Sequence, residues 1–280
     1  MIVSSKKILQ KAQQGKYAVG AFNVENMEMM IAVIEAAQAC NAPLIIQTTP
    51  STIRYASLDL FYAMFEVLAK PISIPVALHL DHGNDFNLCM QALHSGYTSI
   101  MIDKSKENIE KNIEITRKVV DVASACKISV EAEIGQIGGK EDGEENHNAK
   151  YTSPSDAAYF AKASGCDSLA VAIGSAHGIY KQNPDIKIQV LEEIRKVVDI
   201  PLVLHGTSGI PDDIVAACVA KGICKVNYAT DLRIAYSEAT RKVLQDPKVI
   251  DPKEYGKLAQ ANIKKYVTSK LKILGCINQG

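Results

Sequence analysis

Short runs of aliphatic and β-branched residues recur along the chain, and most are followed by a longer stretch in which apolar residues return every three or four positions. That alternation predicts strands paired in parallel through crossover helices. Eight such runs stand out: Ala18–Asn23, Pro43–Gln47, Val76–Leu80, Ser99–Ile102, Ser129–Glu133, Leu169–Ala172, Leu202–His205 and Ile223–Asn227. Helical periodicity is plain in Asn26–Cys40, Lys106–Cys126, Ser155–Ser164 and Ile188–Val198, each with one apolar face to pack on a sheet. Eight βα units predict closure into a (β/α)8 TIM barrel, and the 280-residue length is near the roughly 250 typical of that fold. An open doubly wound sheet is the alternative, but it advertises itself with a G-x-G-x-x-G first turn that this chain lacks. The reading is one domain, residues 1–280, with a C-terminal helical extension from Val249 to Leu274 that caps the barrel or meets another subunit. Gly138–Tyr151 breaks the rhythm, being polar, glycine-flanked and poor in apolar residues, and reads as a mobile loop after strand five, of the kind that closes over a catalytic site.

Charge and cysteine content narrow the function. The 31 basic and 31 acidic side chains cancel, so no net field recruits nucleic acid or an anionic membrane, and an anionic substrate must be caught locally. No stretch approaches the roughly 18 apolar residues of a membrane span, and the adjacent lysines near the N-terminus precede no apolar segment. A soluble, cytoplasmic protein is expected. The seven cysteines are scattered without a C-x-x-C pair, which predicts reduced thiols rather than a disulfide framework.

In a barrel of this kind the chemistry sits at the carboxyl ends of several strands. Three histidines fall there, each followed by glycine: His82 in VALHLDHG, His177 in LAVAIGSAHG and His205 in PLVLHGTSG. Three protein ligands with an open fourth position make a catalytic zinc site, able to polarise a ketone and stabilise the enediolate left when a C–C bond breaks. His79, His94 and His147 are not assigned to it. Asp81, beside His82, is the candidate acid–base group, with support of a histidine ligand as its other role. Asp103 ends SIMID, and Glu131 and Glu133, two apart in SVEAEIG, share a strand face, to orient a ligand, hold a second cation or form a buried ion pair. Glu141 and Asp142 lie in the proposed lid. Gly206, Ser208 and Gly209 after strand seven, and Asn227 to Thr230 after strand eight, form small-residue turns where phosphate binds in many barrels, with Gly178 a further close-approach position.

Taken together in order, HLDHG, SVEAEIGQIGGKEDG, AVAIGSAHG, LVLHGTSG and KVNYAT resemble the class II, metal-dependent fructose- and tagatose-bisphosphate aldolases, and the likeness runs from YAVGAFNVEN at residues 17–26 onward. The resemblance implies Zn2+ on His82, His177 and His205, Asp81 as the acid–base group at the scissile bond, and Glu141 as the residue that exchanges a proton of dihydroxyacetone phosphate. It implies substrate and phosphate contacts at Gly178, Gly206, Thr207, Ser208, Asn227, Tyr228, Ala229 and Thr230, and a monovalent cation, Na+ or K+, near those turns. Asp103 and Glu133 match a second, non-catalytic divalent site of some members, where Lys140 here replaces a carboxylate; Lys104 also departs from the small residue usual after the strand-four aspartate. Ala229 in NYAT, QTTPST at residues 47–52 and GSAHG lie nearer the tagatose branch. Reversible cleavage of tagatose 1,6-bisphosphate, with the fructose epimer as alternative, to dihydroxyacetone phosphate and glyceraldehyde 3-phosphate is therefore expected, in a homodimer or homotetramer. The rivals are a Schiff-base aldolase using Lys104 or Lys225 and a barrel that binds without catalysis.

Overall fold

The computed structural model describes residues 1–141, 144–146, 150–180 and 184–280; the side chains of Glu141, Glu144 and Glu145 lie outside that description, as do Asp142 and His147. Eight parallel strands close into a barrel: β1 (Val19–Asn23), β2 (Leu44–Thr48), β3 (Val76–Gly83), β4 (Ser99–Ile102), β5 (Ser129–Ile134), β8 (Ser168–Val171), β10 (Leu202–Leu204) and β11 (Ile223–Tyr228). The helices among the described residues are α1 (Ser5–Gly15), α2 (Met27–Ala39), α3 (Pro50–Ala56), α4 (Leu58–Ala69), α5 (Phe86–His94), α6 (Ile109–Ala125), α7 (Pro154–Ser164), α8 (Ile188–Val197), α9 (Asp212–Ala220), α10 (Thr230–Val243) and α11 (Pro252–Ile273). The expected TIM barrel is the fold.

Strand alternation divides each strand between two environments. Leu78 and Leu80, Val130 and Ala132, and Cys224 and Val226 join the apolar layer under the helices. Their neighbours His79 and Asp81, Glu131 and Glu133, and Lys225 and Asn227 are buried polar groups, and across the barrel Lys225 bonds Glu131 and Asn227 bonds Asp81. The barrel interior is therefore polar, and its floor is closed by α1, which the periodicity did not separate out. Ser5 of that helix bonds the Oγ atoms of Ser99 and Ser129, both at 2.7 Å.

The C-terminal extension is one helix, α11, packed along α2, α10 and β1, so it lies on the barrel wall. The segment expected to be a mobile loop after strand five contains paired strands. β6 (Gly138–Glu141) and β7 (Glu144–Asn146) form an antiparallel hairpin, and β6 pairs in parallel with the two-residue β9 (Ala176–His177). These strands, GGKE and EEN, carry no apolar alternation and are defined by backbone pairing, which periodicity cannot detect. All seven cysteines are free thiols, and no helix among the described residues is long and apolar enough to cross a membrane.

Candidate active site at the carboxyl end of the barrel

Asp81 and His82 are sequence neighbours, yet both side chains point into the barrel mouth, which a regular strand forbids. A β-bulge resolves the conflict. Leu80 pairs with Ile100 and Gly83 with Ile102, so three steps on β3 oppose two on β4, and His82 takes a left-handed φ of 49°. Such a conformation costs about 1–2 kcal/mol in a non-glycine residue, and bulges of this kind re-aim side chains beside active sites. The buried main-chain N–H of His82 is satisfied by the Met101 sulfur at 3.4 Å.

The expected histidine trio is assembled. Ring centroids of His82 lie 5.0 Å from His177 and 4.8 Å from His205, and the potential ligand atoms of all three are within 4.8 Å of one another. Carboxylates fix two of the rings. His82 Nδ1 donates to Asp103 Oδ2 at 2.8 Å, and His205 Nε2 donates to Glu131 Oε1 at 2.9 Å. Burial, then the field of His82, holds the His205 pKa well below the ordinary histidine value, so the ring is neutral and its remaining nitrogen, Nδ1, carries a lone pair. That atom stands 3.1 Å from His82 Nε2 and 3.4 Å from Glu133 Oε2, a buried oxygen with no hydrogen-bond partner. Two nitrogens ligating one tetrahedral zinc at ~2.0–2.1 Å are about 3.3 Å apart, so this convergence of acceptors fits a metal ion.

Asp81 is buried and accepts from Asn23 Nδ2 at 2.8 Å and Asn227 Nδ2 at 3.1 Å. Burial opposes its charge, but the fields of His82, His205 and Lys225 and the Asn23 hydrogen bond prevail and hold its pKa below the usual aspartate value. An ionised carboxylate thus stands directly beside the histidine cluster. Asp103 is likewise held well below the carboxylate range, burial being outweighed by His82 and by Ser105, which donates its backbone N–H and its Oγ to Asp103 Oδ1. Glu133 is the opposite case: burial and then Asp103 push its pKa well up.

The fructose-bisphosphate aldolase class-II family model matches residues 3–279. The chain belongs to the class II aldolases. Among solved structures, the YdjI aldolase of Escherichia coli K12 is 33% identical, covers 100% of this chain and 99% of its own, and superposes with a TM-score of 0.90. A putative fructose-1,6-bisphosphate aldolase of Coccidioides immitis is 28% identical over 98% of this chain and 96% of its own, also with a TM-score of 0.90. The fold, though at 24% identity no more than the fold, is shared with the fructose-bisphosphate aldolase of Campylobacter jejuni at a TM-score of 0.83, over 100% of this chain and 97% of that one.

Two cavities of this aldolase meet at the histidines. The smaller is lined by Asn23, Asp81, His82 and His177 together with Gly178, Gly206, Thr207, Ser208, Asn227, Ala229 and Thr230. Those last seven are residues expected from the sequence, and Thr230 opens α10, whose first turn is tied to the cleft by the Asp231 N–H donating to Ser208 Oγ at 3.3 Å. Gly206 has φ +63°, and a Cβ there would sit 2.6 Å from the Ala176 carbonyl oxygen, so only glycine fits. Tyr228, expected to contribute its backbone, turns its ring outward by strand alternation, where it stacks on Phe22 at 5.5 Å and is 1% exposed. The larger cavity, about 320 Å³, shares His82 and His177 and is lined by Arg54, Lys104 and Lys106 as well as Asp103, Glu107 and Glu133.

Glu141 ends β6, two residues beyond Gly139, which pairs with His177. A Cβ at Gly139 would meet the His177 carbonyl oxygen at 2.2 Å, so the hairpin lies directly on the histidine's backbone. Of the two rival lysines, Lys225 is fully buried against Glu131, whereas Lys104 lines the larger cavity with its Nζ donating to Asn84 O at 2.6 Å. The sequence reading missed Asn23 and Gln47, which form a relay to Asp81, Gln47 Nε2 donating to Asn23 Oδ1 at 2.9 Å. Their only signal was a polar residue at or next to the end of an apolar strand.

Proposed function

We propose that this aldolase reversibly cleaves a ketose 1,6-bisphosphate, with tagatose 1,6-bisphosphate as substrate, into dihydroxyacetone phosphate and glyceraldehyde 3-phosphate, using Zn2+ held by His82, His177 and His205. The observation that carries the reading is the convergence of His82 Nε2 and His205 Nδ1 at 3.1 Å, beside an ionised Asp81 and between two cavities. The metal supplies a Lewis acid that draws electron density from the ketose carbonyl as the C–C bond breaks. Asp81 removes the proton of the hydroxyl that becomes the aldehyde, its carboxylate aimed by Asn23 and Asn227.

The small cavity takes the three-carbon phosphate end. Glycine turns and the α10 N-terminus supply neutral donors there, in keeping with a chain whose net charge is zero. Asn227 Oδ1, buried without a hydrogen-bond partner, offers an acceptor to a substrate hydroxyl. A Na+ or K+ ion accompanies the phosphate in this reading. The larger cavity takes the aldehyde half, and Arg54, Lys104 and Lys106 suit a second anionic group at its far end. Glu141, carried on the hairpin beside His177, exchanges the carbon-bound proton of dihydroxyacetone phosphate. Asp103, with both oxygens already engaged, orients His82; it and Glu133 also have ligand atoms close enough to His82 for a second cation. The whole of residues 1–280 acts as one barrel domain in a cytoplasmic homodimer or homotetramer.

Fructose 1,6-bisphosphate is the second candidate, supported by the family's own description and by an epimer that differs at one hydroxyl. A coupled assay of metal-loaded protein on both sugars, with and without EDTA, tests the proposal. Cleavage lost to chelator, restored by zinc and faster with the tagatose epimer is expected. A higher kcat/KM for fructose reverses the substrate assignment, and turnover by verified metal-free protein removes the metal role.

A further inference from the structure

A lysine inside a barrel needs a stated purpose, because a buried ammonium is tolerated only against a counter-charge. Lys225 occupies an inward position of β11 and is fully buried, and its Nζ reaches both oxygens of Glu131, at 2.9 and 2.8 Å. Glu131 stands on β5, with β8 and β10 between the two strands, so the pair spans the barrel interior rather than joining neighbours. Glu131 Oε1 also accepts from His205 Nε2 at 2.9 Å, and Oε2 accepts from Ser168 Oγ at 3.4 Å. His79 completes the setting without competing: its Nδ1 is engaged by Ser99 Oγ at 2.6 Å, and its Nε2 stays 4.0 Å from Glu131.

An imidazole has two nitrogens, and which one can face a metal is decided by the partner that takes the N–H of the other. We infer that Lys225 and Glu131 are positioning residues that dictate Nδ1 as the coordinating nitrogen of His205 and thereby set metal affinity and geometry. The inference rests on the metal-centre reading above and deepens it. Lys225 holds both oxygens of Glu131 and fixes the carboxylate in direction; Glu131 accepts the N–H of Nε2; the lone pair of Nδ1 then faces His82 Nε2 and Glu133. Without the carboxylate the ring loses its only acceptor on that side and is free to rotate or carry its proton on the wrong nitrogen.

A simple ion pair that only stabilises the fold makes a different prediction. Replacing both partners at once, Glu131→Leu with Lys225→Met, removes the charges together and so avoids stranding one in the core. Zinc affinity by chelator competition and the visible absorption of the Co2+-loaded protein are the readouts, with melting temperature measured alongside. Loss of a partner of a metal-bound histidine typically weakens metal binding by about 10–100-fold. That loss, with a changed Co2+ spectrum in the double variant, is expected. Glu131→Gln retains an acceptor for Nε2–H and is expected to lie between wild type and the double variant. Wild-type zinc affinity together with a wild-type Co2+ spectrum in the folded double variant overturns the inference, whatever its melting temperature. Failure of the wild-type protein to take up zinc or cobalt refutes the metal-centre reading itself, and is told apart by the control.

Discussion

The two cavities that meet at the histidines are built on opposite principles. On one side glycine turns and a helix end surround a small cleft beside Asp81, where the backbone is proposed to do the binding. On the other, three cationic and three acidic side chains line a space of about 320 Å³. Backbone recognition is fixed by φ and by close packing, so it tolerates little change. Side-chain recognition is set by charge and reach, and can be retuned one residue at a time. On the proposed reading, the barrel would hold a constant half-site for the phosphorylated three-carbon fragment and an adjustable half-site for the aldehyde.

The largest effect lies at the junction. Asp81→Asn keeps the shape but removes the base, and kcat is expected to fall by roughly 10²–10⁴-fold, with zinc content unchanged by metal analysis. Next comes the glycine-lined side. Gly206→Ala places a Cβ 2.6 Å from Ala176 O at a φ that favours glycine, and the displaced turn should cost kcat/KM about 100-fold. A smaller effect is expected on the charged side, where Lys104→Ala with Lys106→Ala should raise KM for a bisphosphate by about 10-fold, at most ~1 kcal/mol per exposed charge. Binding of dihydroxyacetone phosphate, followed by calorimetry, should change less than about twofold in that variant. An equal loss for both ligands would erase the distinction between the half-sites.

The smallest effect concerns Glu133. Its folded pKa is raised, so in metal-free protein it contributes stability that is fully present below its unfolded pKa of ~4.3 and is lost as pH rises through the folded value. Glu133→Gln should flatten that decline in a pH series of urea midpoints. An unchanged slope would mean that another group carries it.

Much of this was legible in the sequence because the barrel repeats one pattern and places chemistry where each apolar run stops. His82, His177, His205 and Asp81 stand out that way, as do Gly178, Gly206 and Ser208, and the structure brings them together around one cleft. The outward turn of the Tyr228 ring follows from the alternation along β11, which puts Asn227 on the inner face and its neighbour under the helices. The β6–β7 hairpin was invisible because main-chain pairing leaves no periodic trace. Lys225 was weighed as a Schiff-base nucleophile and set aside; its partner Glu131, on a distant strand, was beyond any local pattern.

The bulge in β3 binds two functions into one stretch of backbone. Asp81 and His82 face the same space only because one residue is supernumerary there. Substitution can alter either group singly, but a one-residue deletion in that stretch would restore the regular pleat and send one of them to the helix layer. The two roles proposed for Asp81 and His82, proton transfer and metal capture, would therefore be inherited together, as a feature of chain length rather than of residue identity.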